Sequence, residues 1–287
     1  MQLFKHNRQA VLWLALCGLF SPASACLSGY EELDAMQAAG MSVDAAGDIS
    51  AKGWDYKAAN NYAVKRIQKG DYAKAIVVLE AIEKQYPGHF HTAANLGTAY
   101  ELIGNNQLAL QWIKQSVVRS PHDPQSAEWL HVAILQAKLA LANQPDWLNS
   151  HYVTGVDFGN GAEPVKPRDP LQDFQGKART LDELDRALSR VLKERMKLVN
   201  QRDPVMGDLL LTQADLASLT HTDDPEGGYR SALTYGANKQ ALINKRLQAL
   251  EARQPAGHAF MTGVAGVSVV FGLTAWLYWR SRLRRSD

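Results

Sequence analysis

A chain of 287 residues that is 46% hydrophobic and 21% charged is long enough for one or two cored domains and too apolar to be disordered as a whole. Lys plus Arg (31) barely exceed Asp plus Glu (29), so the formal charge of +2 gives no footprint for nucleic acid. Two cysteines, Cys17 and Cys26, cannot build a disulfide scaffold, and a mean hydropathy of −0.27 confines any membrane segment to a minority of the chain.

Lys5, His6 and Arg8 precede an apolar run from Ala10 to Phe20, which Ser21-Pro22 ends before the small residues Ala23-Ser24-Ala25. This is the form of a secretory signal peptide over residues 1–25. As a helix the run rises only about 16 Å, half of what a bilayer core needs. Removal of that segment leaves Cys26 as the sole cysteine and the first residue of the N-terminal segment 26–54. Its position makes Cys26 a candidate for lipidation, with Ala25 the small residue that such a site wants. Ala23 stands where lipoproteins usually carry Leu, so ordinary cleavage and a free thiol stay open.

Residues 55–142 repeat themselves at an offset of 34. Gly70 answers Gly104, Ala75 answers Ala109, Pro87 answers Pro121, and Tyr62-Ala63 answers Leu96-Gly97. Each unit, 56–87 and 90–121, reads as two helices around a glycine turn and ends at a proline that stops the second helix. Small residues (Ala63, Gly97, Ala75, Ala109) fall where the paired helices cross, and Leu79, Leu96, Tyr100 and Ile113 fill the layers between pairs. Ala127, Leu130 and Ile134 start a third first-helix in register, giving a partial unit over 124–142 that caps the stack.

These residues resemble the tetratricopeptide repeat (TPR) family, whose unit is 34 residues with this small-residue and terminal-proline pattern. The second unit matches better, with Leu96, Gly97, Tyr100, Ala109 and Pro121; the first has Ala59 and Arg66 at usual aromatic positions. The resemblance implies an all-α TPR-like solenoid whose concave face binds an extended peptide or a helix. Groove positions carried over from the first unit are Lys57, Asn60, Val64 and Gln68. From the second they are His91, Ala94, Thr98 and Glu101. Lys57 and Glu101 oppose in sign, and the lining does not reproduce the Lys/Asn clamp that some members use for a terminal carboxylate.

Residues 143–177 turn to Gly, Pro and Asp and read as a long loop, in which Trp147, Tyr152 and Phe158 indicate packing against the helices. Helical pattern returns over 178–254. Thr180 and Glu183 form a capping box before Leu184, Leu188, Val191 and Leu192. Asp203-Pro204 and Asp224-Pro225 each open another helix, so this region holds additional C-terminal helices and could contain a degenerate repeat. A polar helix over 238–253 follows.

His258–Trp279 is a stretch of 22 residues without a charged side chain, about 33 Å as a helix, and reads as a transmembrane helix. Trp276, Tyr278 and Trp279 gather at one boundary, followed by Arg280, Arg282, Arg284 and Arg285 in the basic tail 280–287. The positive-inside rule puts that tail in the cytoplasm, and the signal peptide puts the other end across the membrane. Thr262/Gly266 and Ser268/Gly272 are small-xxx-small pairs that would admit a homo-oligomer. Residues 1–25 hold two of the 31 basic groups, and the tail holds four with one of the 29 acids. That leaves 25 basic and 28 acidic groups in residues 26–279, so the apparent basicity belongs to the ends and reports topology.

The sequence contains no phosphate-binding glycine loop, HExxH, GxSxG or zinc-spaced cysteines, and implies neither a catalytic residue nor a cofactor. His89-x-His91 lies at a repeat junction, and further metal ligands are not evident beside it. Asp182, Glu183 and Asp185 suit the acidic first turn of a helix. The expectation is therefore a non-enzymatic scaffold or adaptor, TPR-like and of bacterial envelope type. It is anchored in the inner membrane through 258–279 with its TPR-like domain in the periplasm, where it binds an envelope protein or peptide. The alternative is an enzyme or accessory subunit of an envelope-modifying complex, with its site in the C-terminal helices.

Overall fold

The computed structural model describes residues 27, 55–120, 126–197, 202–220 and 224–253. The expected signal peptide 1–25, Cys26, the expected transmembrane helix 258–279 and the basic tail 280–287 all lie outside the described residues. Among the described residues no helix is long and apolar enough to cross a membrane.

The described residues are mostly helical. Two helical hairpins come first: α1 (Tyr56–Gln68) with α2 (Tyr72–Gln85), then α3 (Phe90–Leu102) with α4 (Asn106–Arg119). Both turn in the same way, 34 residues apart. Gly70 N–H donates to Ile67 O and Asp71 N–H to Arg66 O; Gly104 N–H donates to Glu101 O and Asn105 N–H to Tyr100 O. This pair of hydrogen bonds satisfies late carbonyls of α1 and α3 and needs a left-handed residue, which Gly70 (φ +79°) and Gly104 (φ +83°) supply. Asp55 and Asn105 cap α1 and α4, accepting from Lys57 N–H at 2.9 Å and Leu108 N–H at 3.1 Å.

Ala59, Ala63, Ala75 and Ala109 are wholly buried between these helices, with Leu79, Ile82, Leu96 and Ile113 filling the layers. Arg119 on α4 reaches back to Glu83 on α2 at 2.6 and 2.9 Å, so the hairpins are also locked by a forked ion pair. Third in the stack is α5 (Glu128–Asn143). Its Val132 and Leu135 join the repeat core, while Trp129, Leu130 and Ile134 face a second core shared with the C-terminal helices. Helix α5 is thus the seam between the two halves.

Residues 143–177 are more ordered than a loop reading suggests. A 3₁₀ turn (Trp147–Asn149) and a short antiparallel hairpin, β1 (Leu171–Gln172) with β2 (Ala178–Arg179), stand in this stretch and at its exit. The hairpin closes on Asp173, whose carboxylate accepts from Gln175 N–H, Lys177 N–H and the Arg179 guanidinium. Next comes α6 (Leu181–Met196), started by the capping box that its sequence signals: the Thr180 hydroxyl accepts from Glu183 N–H at 3.1 Å and the Glu183 carboxylate from Thr180 N–H at 2.8 Å.

Helices α7 (Pro204–Thr220), α8 (Pro225–Tyr235) and α9 (Gln240–Arg253) complete the chain's described part. Leu209, Leu210, Leu211, Ala214 and Leu216 are buried on all sides of α7, which makes it the central helix of this half. Helix α8 packs back on it, so closely that Gly207 stands against the backbone of Ala237.

Candidate functional site

The most organised surface feature lies beside the seam. Helix α5, the loop 147–157 and the turn of the β hairpin enclose an open cleft of about 630 Å³. Trp129, Trp147, Tyr152 and Phe174 supply its aromatic walls, Ala133 and Ala137 its floor, and Gln136, Gln172 and Asp157 its polar edge. A loop wall would ordinarily yield to a ligand, but this one is held from behind.

Two acids on α7 and two bases at α9 do the holding. Asp208 pairs with Lys239 at 2.9 Å, and Asp215 pairs with Arg246; both acids and both bases are seven residues apart, in the same direction along the chain. Each pair also grips backbone, the first in the loop and the second just past its end. The Asp208 carboxylate accepts from Val153 N–H at 2.7 Å, Lys239 donates to Leu148 O at 2.6 Å and His151 O at 2.5 Å, and Arg246 donates to Gly159 O at 2.6 Å and Phe158 O at 3.4 Å. Three backbone atoms of the cleft wall, at Leu148, His151 and Val153, and two just beyond it, at Phe158 and Gly159, are therefore fixed by these charged side chains. Taking these groups from water is costly, and their extra bonds to the loop are what offset it.

Burial pushes the Asp208 carboxyl up, against the pull of Lys239 and Val153 N–H. It likewise pushes Asp215 up to about 6, against Arg246 and the Tyr229 hydroxyl, which donates to Asp215 at 2.7 Å. Tyr152 rises to about 12 through burial, with the nearby Asp157 carboxylate adding to the effect. Its hydroxyl is consequently a protonated donor throughout the neutral range.

The carried-over groove positions lie elsewhere and are not brought together on one open surface. Asn60, Ala94, Thr98 and Glu101 are buried, Lys57, Val64 and His91 are half-buried, and Gln68 is exposed. Asn60 accepts from the Asn95 amide at 3.1 Å inside the stack. Glu101 is withdrawn because helices from the other half close over it. His91 lines a second cleft of about 560 Å³, with Leu27, Phe90 and the α6 residues Arg190 and Lys193. His89 stacks on Tyr56 with ring centroids 4.0 Å apart, and among the described residues no three His, Cys, Asp or Glu side chains are grouped to hold a metal.

Glu101, itself buried, anchors a charge cluster in which only Lys138 reaches solvent. Its carboxylate accepts from Lys138 Nζ at 2.6 Å and His131 Nε2 at 2.7 Å on α5, and from Arg195 Nη2 on α6 at 3.0 and 3.2 Å; His131 Nδ1 meets Glu128 at 3.3 Å. Burial opposes the Glu101 anion, but Arg195, Lys138 and His131 hold its pKa well below the usual carboxylate range. Burial also opposes a charged His131, and here Glu101 and Glu128 prevail and raise its pKa above 6.5.

The folded protein therefore keeps a proton that the unfolded chain releases near pH 6.5. The stabilisation is fully present below that pH and is lost as pH climbs through the raised folded value. Urea midpoints recorded from pH 6 upward should fall across this window in the natural protein and stay flatter in His131→Gln. Parallel profiles for the two proteins would rule out the linkage.

Among these features the sequence signals only the aromatic residues of the loop. The pins at Lys239 and Arg246 stand more than eighty residues from the backbone they hold, and nothing local in a polar helix marks them. No protein-family model matches the chain, and no curated protein matches it. Among solved structures it is similar to a thermophilic TPR protein of Thermus thermophilus, at 16% identity over 68% of this chain and 81% of that one, with a TM-score of 0.30.

Proposed function

We propose that this protein is an adaptor of the bacterial envelope, held in the inner membrane by residues 258–279, whose TPR-like domain lies in the periplasm and binds a partner protein through the cleft beside α5. The pinned cleft wall is the observation that supports the binding reading. A loop fixed at three backbone atoms by the Asp208–Lys239 pair, and just past its end by Arg246, is a preorganised surface, and preorganisation reduces the ordering cost of association. Charge patterning at the two ends of the sequence supports the topology.

In the alternative of a site in the C-terminal helices, Asp182 and Asp185 would act from the exposed face of α6 and Asp208 from a position already filled by Lys239. No observation favours that reading over the cleft. Two measurements test the proposal. Protease added to spheroplasts should digest the helical domain, and protection of the domain would overturn the topology. A photo-crosslinking residue at Gln136 or Gln172 should trap a protein that the same residue at exposed Lys84 does not, whereas equal labelling at all three sites would remove the cleft as the binding surface.

A further inference from the structure

We propose that the cleft takes an extended, proline-containing segment of its partner, in polyproline II conformation, with a basic side chain of that segment against Asp157. This rests on the adaptor reading above and names its partner class. The rings come first. Trp129 carries Arg179 over one face at 5.1 Å, Tyr152 carries Lys239 at 3.9 Å, and Phe174 carries Lys114 at 5.7 Å. Trp147 stacks flat on His151, with centroids 4.5 Å apart. A ring whose negative face already attracts a cation is a weak host for a second one, so these walls are not a cage for a quaternary ammonium group. Trp129 is buried, whereas the half-buried Trp147, Tyr152 and Phe174 offer flat apolar planes of the kind that a pyrrolidine ring packs against.

The polar groups agree with that occupant. Among the described residues neither the Tyr152 hydroxyl nor the Trp147 indole N–H has a hydrogen-bond partner, and the amides of Gln136 and Gln172 have none either. A polyproline II segment has no internal hydrogen bonds and leaves its carbonyls free to accept from such donors. A docked helix satisfies its own backbone and would leave the same donors unpaired. Addition of a strand needs a sheet edge, and β1 is two residues long.

Charge selects the flanking residue. Asp173 is spent on Arg179 at 2.8 Å and on its own turn, whereas exposed Asp157 has no ion pair among the described residues and accepts only Gly159 N–H at 2.8 Å. One unpaired carboxylate at the cleft edge fits a Lys or Arg beside the prolines.

The test uses the full-length protein in detergent micelles and three probes. These are a fluorescein-labelled peptide with two Pro-x-x-Pro turns and a terminal Arg, its proline-to-alanine counterpart, and a labelled trimer of N-acetylglucosamine. Fluorescence anisotropy should show the proline peptide binding about tenfold more tightly than the alanine peptide, a difference of about 1.4 kcal/mol. Tyr152→Phe, which loses only the hydroxyl, and Asp157→Asn, which keeps the acceptor for Gly159 N–H, should each weaken binding about fivefold, and exposed Lys84→Ala should not. Equal affinity for the two peptides, no effect of either variant, or saturable binding of the saccharide alone would overturn the proposal. If Gln136 and Gln172 crosslink a protein and the proline peptide fails to bind, the partner class is wrong and the adaptor reading stands. If neither occurs, both fall.

Discussion

Glu101→Ala should lower the unfolding free energy by about 3–5 kcal/mol, because it strands buried cations rather than simply deleting a contact. Arg195 spends only Nη2 on Glu101, and its Nε and Nη1 have no partner among the described residues, so the substitution leaves the guanidinium with nothing to offset its burial. Lys138 is in a better position, since its side chain is 17% exposed and can turn its ammonium to water. His131 keeps Glu128. The cost should therefore fall mainly on the junction between α3 and α6. Pairing Glu101→Leu with Arg195→Met should recover most of the loss, as replacement of both members of a buried pair often does. Urea denaturation of the two single variants and the double closes the cycle. Strictly additive losses would mean that the cluster does not couple the halves.

A second large effect is expected at Gly207. A Cβ placed there would lie 2.5 Å from Ala237 N and 2.8 Å from Ala237 Cα. These are backbone atoms, and they cannot yield cheaply. Ala237 N–H donates to Ala232 O in the turn that ends α8, and Asp203 N–H at the start of α7 donates to Tyr235 O. Any shift that admits a methyl group must prise α8 from α7 or break those bonds. Gly207→Ala should cost about 3 kcal/mol, the upper end of ordinary overpacking. Gly176→Ala provides the comparison. It meets a positive φ of +76° but no atom within 4 Å, and should cost about 1 kcal/mol. Thermal unfolding of the two variants should rank them clearly, and equal losses would show that α7 and α8 are less tightly joined than the structure has them.

The legible parts of the fold are those whose causes are local. Gly70 and Gly104 announce two turns at one period, Ala63 and Ala109 announce close helix crossings, and Thr180 with Glu183 announces a helix start. Each works through neighbours within a few residues or one repeat. The burial of Asn60, Ala94, Thr98 and Glu101 is not legible, for the opposite reason. Thr98 and Glu101 have the spacing of a concave face, but whether that face stays open depends on Arg195, 94 residues beyond Glu101, and on where α6 comes to rest. The cleft shows the same limit. Trp147, Tyr152 and Phe158 give a packing signal inside a Gly- and Pro-rich stretch, while the cations that shape the stretch belong to a later helix with no apolar pattern of its own.

Asp208 and Asp215 are seven residues apart, as are Lys239 and Arg246, so both pairs are in register or neither is. A slide of α9, together with Lys239 immediately before it, by one residue, about 1.5 Å along the axis, would misalign the two together. The cleft wall should thus have two discrete conditions, gripped throughout or let go throughout, and no graded series between them.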